Sequence, residues 1–157
     1  MMPKPLQITV ISGGQTGVDR AALDAALAAG TPCGGFCPKG RKAEDGVILA
    51  KYPLTESLSA QYQMRTLENI LTTDGTLVFF HKKPRGGTKS TVLMAKLHKK
   101  PCLLLDLADL SETAAARQIR AFCRKNRLKR INVAGPRKSQ NPAIGDQVRA
   151  VLGKILA

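Results

Sequence analysis

Ile8–Ala29, ITVISGGQTGVDRAALDAALAA, decides how the rest of the chain is read. Ile8, Val10 and Ile11 form the short β-branched run of a buried parallel strand. Gly13 and Gly14 end it, and Thr16, Gly17 and Asp19 lead into a helix whose apolar positions Ala22, Leu23, Ala26 and Leu27 recur at helical spacing. Gly30 is placed to terminate that helix. A strand, a glycine-rich turn and a helix N-terminus together present backbone N–H groups and a positive dipole end, which suits an anion and above all a phosphate.

This phosphate-binding type of loop differs from the common ones. GGQTGVD is not G-x-G-x-x-G and no G-K-[ST] follows, so neither the dinucleotide fingerprint nor a nucleotide-triphosphatase loop is present. Asp19 in the first turn suits the helix dipole, whereas Arg20 beside it does not. Arg20 is read as reaching for a ligand oxyanion; pairing with a surface carboxylate is the alternative.

Working outward, the 157 residues are read as one domain, 1–157, with a core that must be aliphatic because aromatics are 4% and Trp is absent. No run approaches the roughly 20 apolar residues of a membrane span, and MMPKPLQ is no signal peptide, so a soluble, cytoplasmic protein is expected. The four cysteines, Cys33, Cys37, Cys102 and Cys123, form neither a disulfide framework nor, with His81 and His98, a zinc pattern. Charge is unevenly placed. Residues 1–78 carry 7 basic and 7 acidic side chains, whereas residues 79–157 carry 18 basic and 4 acidic, so the net +14 lies wholly in the second half. Such asymmetry points to an anionic partner, or to a basic surface that merely keeps the protein soluble.

Further along, Thr31–Phe36 reads as a weak strand, CPKGRKAEDG as a polar loop and Val47–Glu56 as loop. A helix capped by Ser57 or Ser59 is expected to run to Leu71, with Tyr62, Leu67, Ile70 and Leu71 inward. TLVFF (76–80) is a buried strand that runs into Gly86 and Gly87, with Thr88 as the expected N-cap of the next helix. CLLLDL, a helix capped by Ser111, the strand INVAG, the loop PRKSQNP and a final helix from about Pro142 complete the chain. Strands and helices alternate, so the fold class is α/β: a mostly parallel five-stranded sheet covered by helices on both faces, a three-layer sandwich. The expected strand order is 2-1-3-4-5, which would place both Gly-Gly junctions in one crevice at the strand C-termini.

GGQTGVDRAALDAAL, GGFCPKGRKAEDG, YPLTE, YQMRTLEN, GGTKST and AGPRKSQNP together resemble the molybdenum-cofactor carrier proteins. These belong to a Rossmann-like superfamily that also holds the lysine-decarboxylase-like phosphoribohydrolases and DNA-processing protein A. The resemblance implies a Rossmann-like domain, often oligomeric, that binds molybdenum cofactor (molybdopterin) or a nucleotide at the strand C-termini. Carried over by motif, the ligand-facing residues are Gly13, Gly14, Gln15, Thr16, Gly17, Asp19 and Arg20 in the first loop. Lys39, Gly40, Arg41 and Glu44 follow in the second, then Arg65 and Thr66, and finally Gly86, Gly87, Thr88 and Thr91. Molybdenum cofactor is a small anionic ligand, and a crevice rich in N–H and Arg donors suits it.

One departure matters. The phosphoribohydrolases carry a catalytic Glu in P-G-G-x-G-T-x-x-E, and TKSTVLMAKL here holds no acid, which favours binding over hydrolysis. Nucleotide-ribose hydrolysis remains the alternative, with Glu44 or Asp19 as the acid. A nucleic-acid-binding role ranks third: no aromatic platform interleaves with Arg117, Arg120, Arg124, Lys129 and Arg130, so only weak, salt-sensitive binding is expected.

Overall fold

The computed structural model describes residues 3–156. In chain order the elements are β1 (Thr9–Ile11), α1 (Val18–Ala29), β2 (Cys33–Gly34), β3 (Phe36–Cys37), β4 (Lys42–Ala43), β5 (Gly46–Val47) and β6 (Thr55–Glu56). They continue with α2 (Tyr62–Leu71), β7 (Gly75–Phe80), α3 (Gly86–Leu97), β8 (Cys102–Asp106), α4 (Glu112–Asn126), β9 (Arg130–Ala134) and α5 (Ile144–Leu156). Gly30 closes α1 in the left-handed conformation, its N–H donating to the carbonyls of Ala26 and Leu27, and the Ser111 hydroxyl caps α4 by accepting from the Ala114 N–H.

Several local expectations are corrected. The helix expected from Ser57 or Ser59 begins at Tyr62, because the Ser57 hydroxyl donates to the Glu68 carboxylate and Ser59 Oγ accepts from the Gln61 N–H instead. Leu71 on that helix is exposed rather than inward. Thr88 is buried within the first turn of α3, and Arg85 occupies the N-cap position. Thr31–Phe36 is split at Gly35, which has φ 131° and passes close against the Ser12 backbone: β2 joins the main sheet beside β1, and β3 pairs with β6. The stretch expected to be loop holds β6, which pairs with β3, and the β4–β5 hairpin.

The main sheet is parallel throughout, in the order β2-β1-β9-β7-β8. The expected order 2-1-3-4-5 is therefore wrong in one respect: the last strand enters the middle, between the first strand and TLVFF. Short buried strands carry no mark of which neighbour they will take, so pattern alone could not reveal the insertion. The logic is visible once β9 is counted first. Numbering β9, β1, β2, β7 and β8 as one to five turns the observed order into 3-2-1-4-5, that of the doubly wound dinucleotide-binding sheet. The termini fit this reading, since the Leu6 N–H donates to the Ile155 carbonyl at 2.8 Å and Arg120 bonds both the Lys4 and Lys154 carbonyls. The end of α5 thus leads directly to the start of β1.

Helices α1, α4 and α5 cover one face, with α1 packed along α5, and α2 and α3 lie on the other. The core between them is aliphatic as expected, with Val10, Leu77, Leu105, Ile119, Ile131, Val148 and Leu152 buried around Phe79. A smaller cluster of Leu23, Cys37, Ile48 and Tyr52 anchors the 37–56 segment to α1.

Candidate functional site

In open α/β sheets the ligand crevice opens beyond the strand C-termini where the order reverses, which here is between β9 and β7. A cleft open to solvent lies there. Residues of β9 and its loop (Asn132–Gly135, Arg137, Gln140) form its floor and one wall, and α2 and the first turns of α3 form the other. Of the residues singled out from sequence, Gly13, Gln15, Asp19, Arg65, Thr66, Gly87, Thr88 and Thr91 line it. Each Gly-Gly junction contributes one glycine to this cleft, Gly13 and Gly87, although β9 stands between their strands.

At its base Arg65 donates from Nη1 to Asp19 Oδ2 at 2.8 Å and from Nε to the Tyr62 carbonyl, so neither bond engages Nη2. Burial pushes the Asp19 carboxyl above the ordinary value, and the neighbouring Arg65 opposes that shift. Gly13 is required by this pair. A Cβ there would come within 1.4 Å of Arg65 Nη1. Gln15 is only 6% exposed, and its Oε1 accepts from the backbone N–H groups of both Thr16 and Glu44. Two N–H donors on one amide oxygen fix which way the amide points. Among the described residues its Nε2 is the one buried side-chain N or O atom without a hydrogen-bond partner.

The mouth is cationic. Around the ring of Tyr62 stand Lys42 Nζ at 4.6 Å, the Arg137 guanidinium at 5.3 Å and that of Arg65 at 5.7 Å. Sequence reasoning did not select Tyr62, Asn132, Arg137 or Gln140 as site residues. The signal was present, since INVAGP is a third strand–glycine junction before a helix, but its loop lacks a Gly-Gly pair.

The remaining selected residues stand off the cleft. Arg20 pairs with Asp45 at 2.7 Å and donates from Nε and Nη2 to the Gly14 carbonyl, beside a second hollow that Thr16 and Gly17 also line. Arg41 holds a loop together by donating to the carbonyls of Ile48, Leu49, Tyr52 and Leu54. The Gly40 N–H donates to Glu56, Lys39 is exposed nearby, and Gly14 packs against Leu54 and Ile48. Glu44 accepts from the Ser139 hydroxyl at 2.6 Å and from Thr16, contacts that hold its carboxyl below the usual value. It thereby ties the 37–56 segment to the β9–α5 loop. Gly86 starts α3 in the left-handed region, close to Gln140.

Among the described residues no cluster of three His, Cys, Asp or Glu could hold a metal ion, and no helix is long and apolar enough to cross a membrane. No cysteine lines the cleft; burial pushes the thiols of Cys102 and Cys123 up to about 11. What the cleft offers is hydrogen-bond donors, two guanidinium groups and one carboxylate.

These features define a class, a Rossmann-type α/β domain whose sheet is entered at its second strand and whose polar cleft lies at the switch point. Residues 10–156 match the model of the circularly permutated YpsA SLOG family (cpYpsA), and the chain belongs to that family. A crystal structure from Syntrophus aciditrophicus SB named "Putative molybdenum carrier protein" is 41% identical over 99% of this chain and 98% of that one, with a TM-score of 0.95. A comparison with curated proteins gives no significant match.

Proposed function

We propose that this protein is a carrier that holds molybdenum cofactor, or a related phosphorylated pterin or nucleotide, in the β9–β7 cleft. The name of the Syntrophus relative supports the carrier role, and the donor-rich lining of the switch-point cleft, with Arg65, Arg137, Thr88 and Thr91 against the single carboxylate of Asp19, is the observation that carries the ligand reading. The residues present fit such cargo. Arg137, Arg65 Nη2 and the first turn of α3 suit a phosphate, and no thiol or carboxylate cluster is there to ligate the metal itself. The protein then holds the organic part and the phosphate.

The test is a melting screen of the purified chain with phosphorylated pterins and nucleotides, alongside oxidation of any co-purified pterin to its fluorescent form. Ligand at about 100 times Kd stabilises by about 2.7 kcal/mol, a rise of about 5–11 °C at this chain length. No rise with any pterin or nucleotide, and no fluorescence, refutes the carrier reading.

A second reading, nucleotide-ribose hydrolysis, is favoured by Asp19, the carboxyl that lines the cleft, whereas Glu44 is tied up with Thr16 and Ser139 outside it. Free base released from nucleoside monophosphates by the parent but not by Asp19→Asn would support it. Other features of the proposal are a cytoplasmic location and a homo-oligomer in which a second copy covers the exposed Leu93 and Leu97 of α3. Nucleic acid binds at most weakly in this reading. Arg120, one of the basic cluster, is already engaged with backbone carbonyls at the termini.

A further inference from the structure

Resting on the carrier reading, we infer that Lys42 and Arg137 form a two-cation seat beside Tyr62 at the mouth of the cleft, and that this seat takes the dianionic phosphate of a phosphomonoester. Three cations from three separate segments meet at one ring. Lys42 on β4, Arg65 on α2 and Arg137 in the β9–α5 loop all lie within 5.7 Å of the Tyr62 ring centroid. Tyr62 and Arg137 both line the cleft, so the seat adjoins it. A ring face attracts a cation, but gathering several at one ring adds like-charge repulsion. Asp19 neutralises Arg65 at 2.8 Å. Lys42 and Arg137 have no such relief: among the described residues neither has a carboxylate within 4.0 Å.

The convergence is built into the fold. Lys42 stands two residues before Glu44 and Arg137 two before Ser139, and the Ser139 hydroxyl donates to Glu44 at 2.6 Å. The charge of Arg137 reaches Glu44, but Ser139 and Thr16 already engage both oxygens of that carboxylate. Because both free cations sit close to the same ring centroid, they are no more than about 10 Å apart, about one Debye length at 0.1 M salt. An anion between them therefore feels both. Two uncompensated positive charges match the charge of about −2 that a phosphomonoester carries above its second pKa of about 6. A phosphodiester or a carboxylate brings only one. Arg137 supplies a planar fork of donors and Lys42 a compact charge on a flexible stem. Arg65, balanced by Asp19, keeps Nη2 clear of its bonds to Asp19 and the Tyr62 carbonyl and can donate beside them.

Calorimetric titration of the full chain with AMP, GMP and neopterin monophosphate, each beside its unphosphorylated form, and with cyclic AMP and cyclic GMP decides the matter. A monophosphate that binds should do so at least about tenfold tighter than its unphosphorylated or cyclic form, the scale of one hydrogen bond to a charged group. Which monophosphate binds tells whether a nucleotide or a pterin carries the phosphate. From about pH 7.5 to 5 the monoester advantage should fall as the phosphate takes up its second proton, while the cyclic diesters report any titration of the protein itself. Lys42→Met and Arg137→Met should each erase most of the advantage and leave the unphosphorylated form binding as before. Melting curves first establish that both fold, and the comparison of monoester with diester needs no variant. Lys125→Met, which removes an exposed charge on α4 across the sheet from α2, should leave the advantage intact. An unphosphorylated form or a diester binding as tightly as the monoester, an advantage that stays level down to about pH 5, or one that survives both substitutions overturns the inference and leaves the carrier reading standing. Absence of binding by every compound overturns both.

Discussion

Gly13→Ala tests the geometry at the base of the cleft most sharply. The backbone at Gly13 lies outside the left-handed region, so alanine is conformationally allowed there and only space opposes it. That space is occupied by Arg65 Nη1, 1.4 Å from where the Cβ would stand. A guanidinium can swing away at little steric cost, but doing so breaks the 2.8 Å bond to Asp19, with both side chains at least nine-tenths buried. Breaking a buried pair while a charge stays inside costs about 3–5 kcal/mol, which at this chain length lowers the Tm by about 6–20 °C. Arg65→Ala alone should cost a similar amount. Adding Gly13→Ala to Arg65→Ala should then cost less than about 1 kcal/mol, since the clash and the pair are already gone. Thermal and urea melts of the four proteins give the cycle. A Gly13→Ala drop under about 2 °C, or a penalty that persists undiminished without Arg65, would refute the argument.

Other consequences are as direct. Gly17, at φ 80°, packs against the β9–α5 loop, and a Cβ would stand 2.4 Å from the Pro136 carbonyl oxygen and 2.8 Å from the Lys138 nitrogen. Gly17→Ala should cost about 3 kcal/mol or more, against about 1–2 for Gly40→Ala, which has φ 83° but nothing within 4 Å; equal melting points would contradict the packing. Ser111→Ala removes the α4 cap and should cost about 1 kcal/mol, read as a fall of about 2–4 °C in Tm. Glu44 has a lowered folded pKa, so its contribution is present above its ordinary value of 4.5 and is lost as pH falls through the folded value. The Tm gap between the parent and Glu44→Gln should therefore narrow on acidification below about pH 4.5, and a constant gap would refute it.

Periodicity was enough to find the five parallel strands and all five helices, because burial against a sheet imposes patterns that a reader can count. It could not place β9, since every strand here is short, aliphatic and interchangeable by pattern. The lining of the cleft was legible where backbone chemistry dominates, at Gly13, Gly87 and Thr88. It was less so where side chains choose among partners. Arg20 and Arg41 look ligand-directed in a motif, yet in three dimensions Asp45 and a ring of loop carbonyls lie nearer. Gln15 shows the converse: nothing in its sequence context announces an unpaired amide, because the groups that fix its oxygen include Glu44, distant in sequence.

The position of β9 also bears on how the protein is made. The strand that joins the β1–β2 pair to the β7–β8 pair begins at Arg130, so the other four strands are all synthesised before the middle of the sheet exists. Without β9, β1 and β7 each lack a partner on their inner edge, the kind of edge that recruits other strands. Synthesis order therefore makes completion of the sheet a late, long-range event. A nascent chain truncated before Arg130 should be captured by chaperones or aggregate, and extension through β9 and α5 should free it.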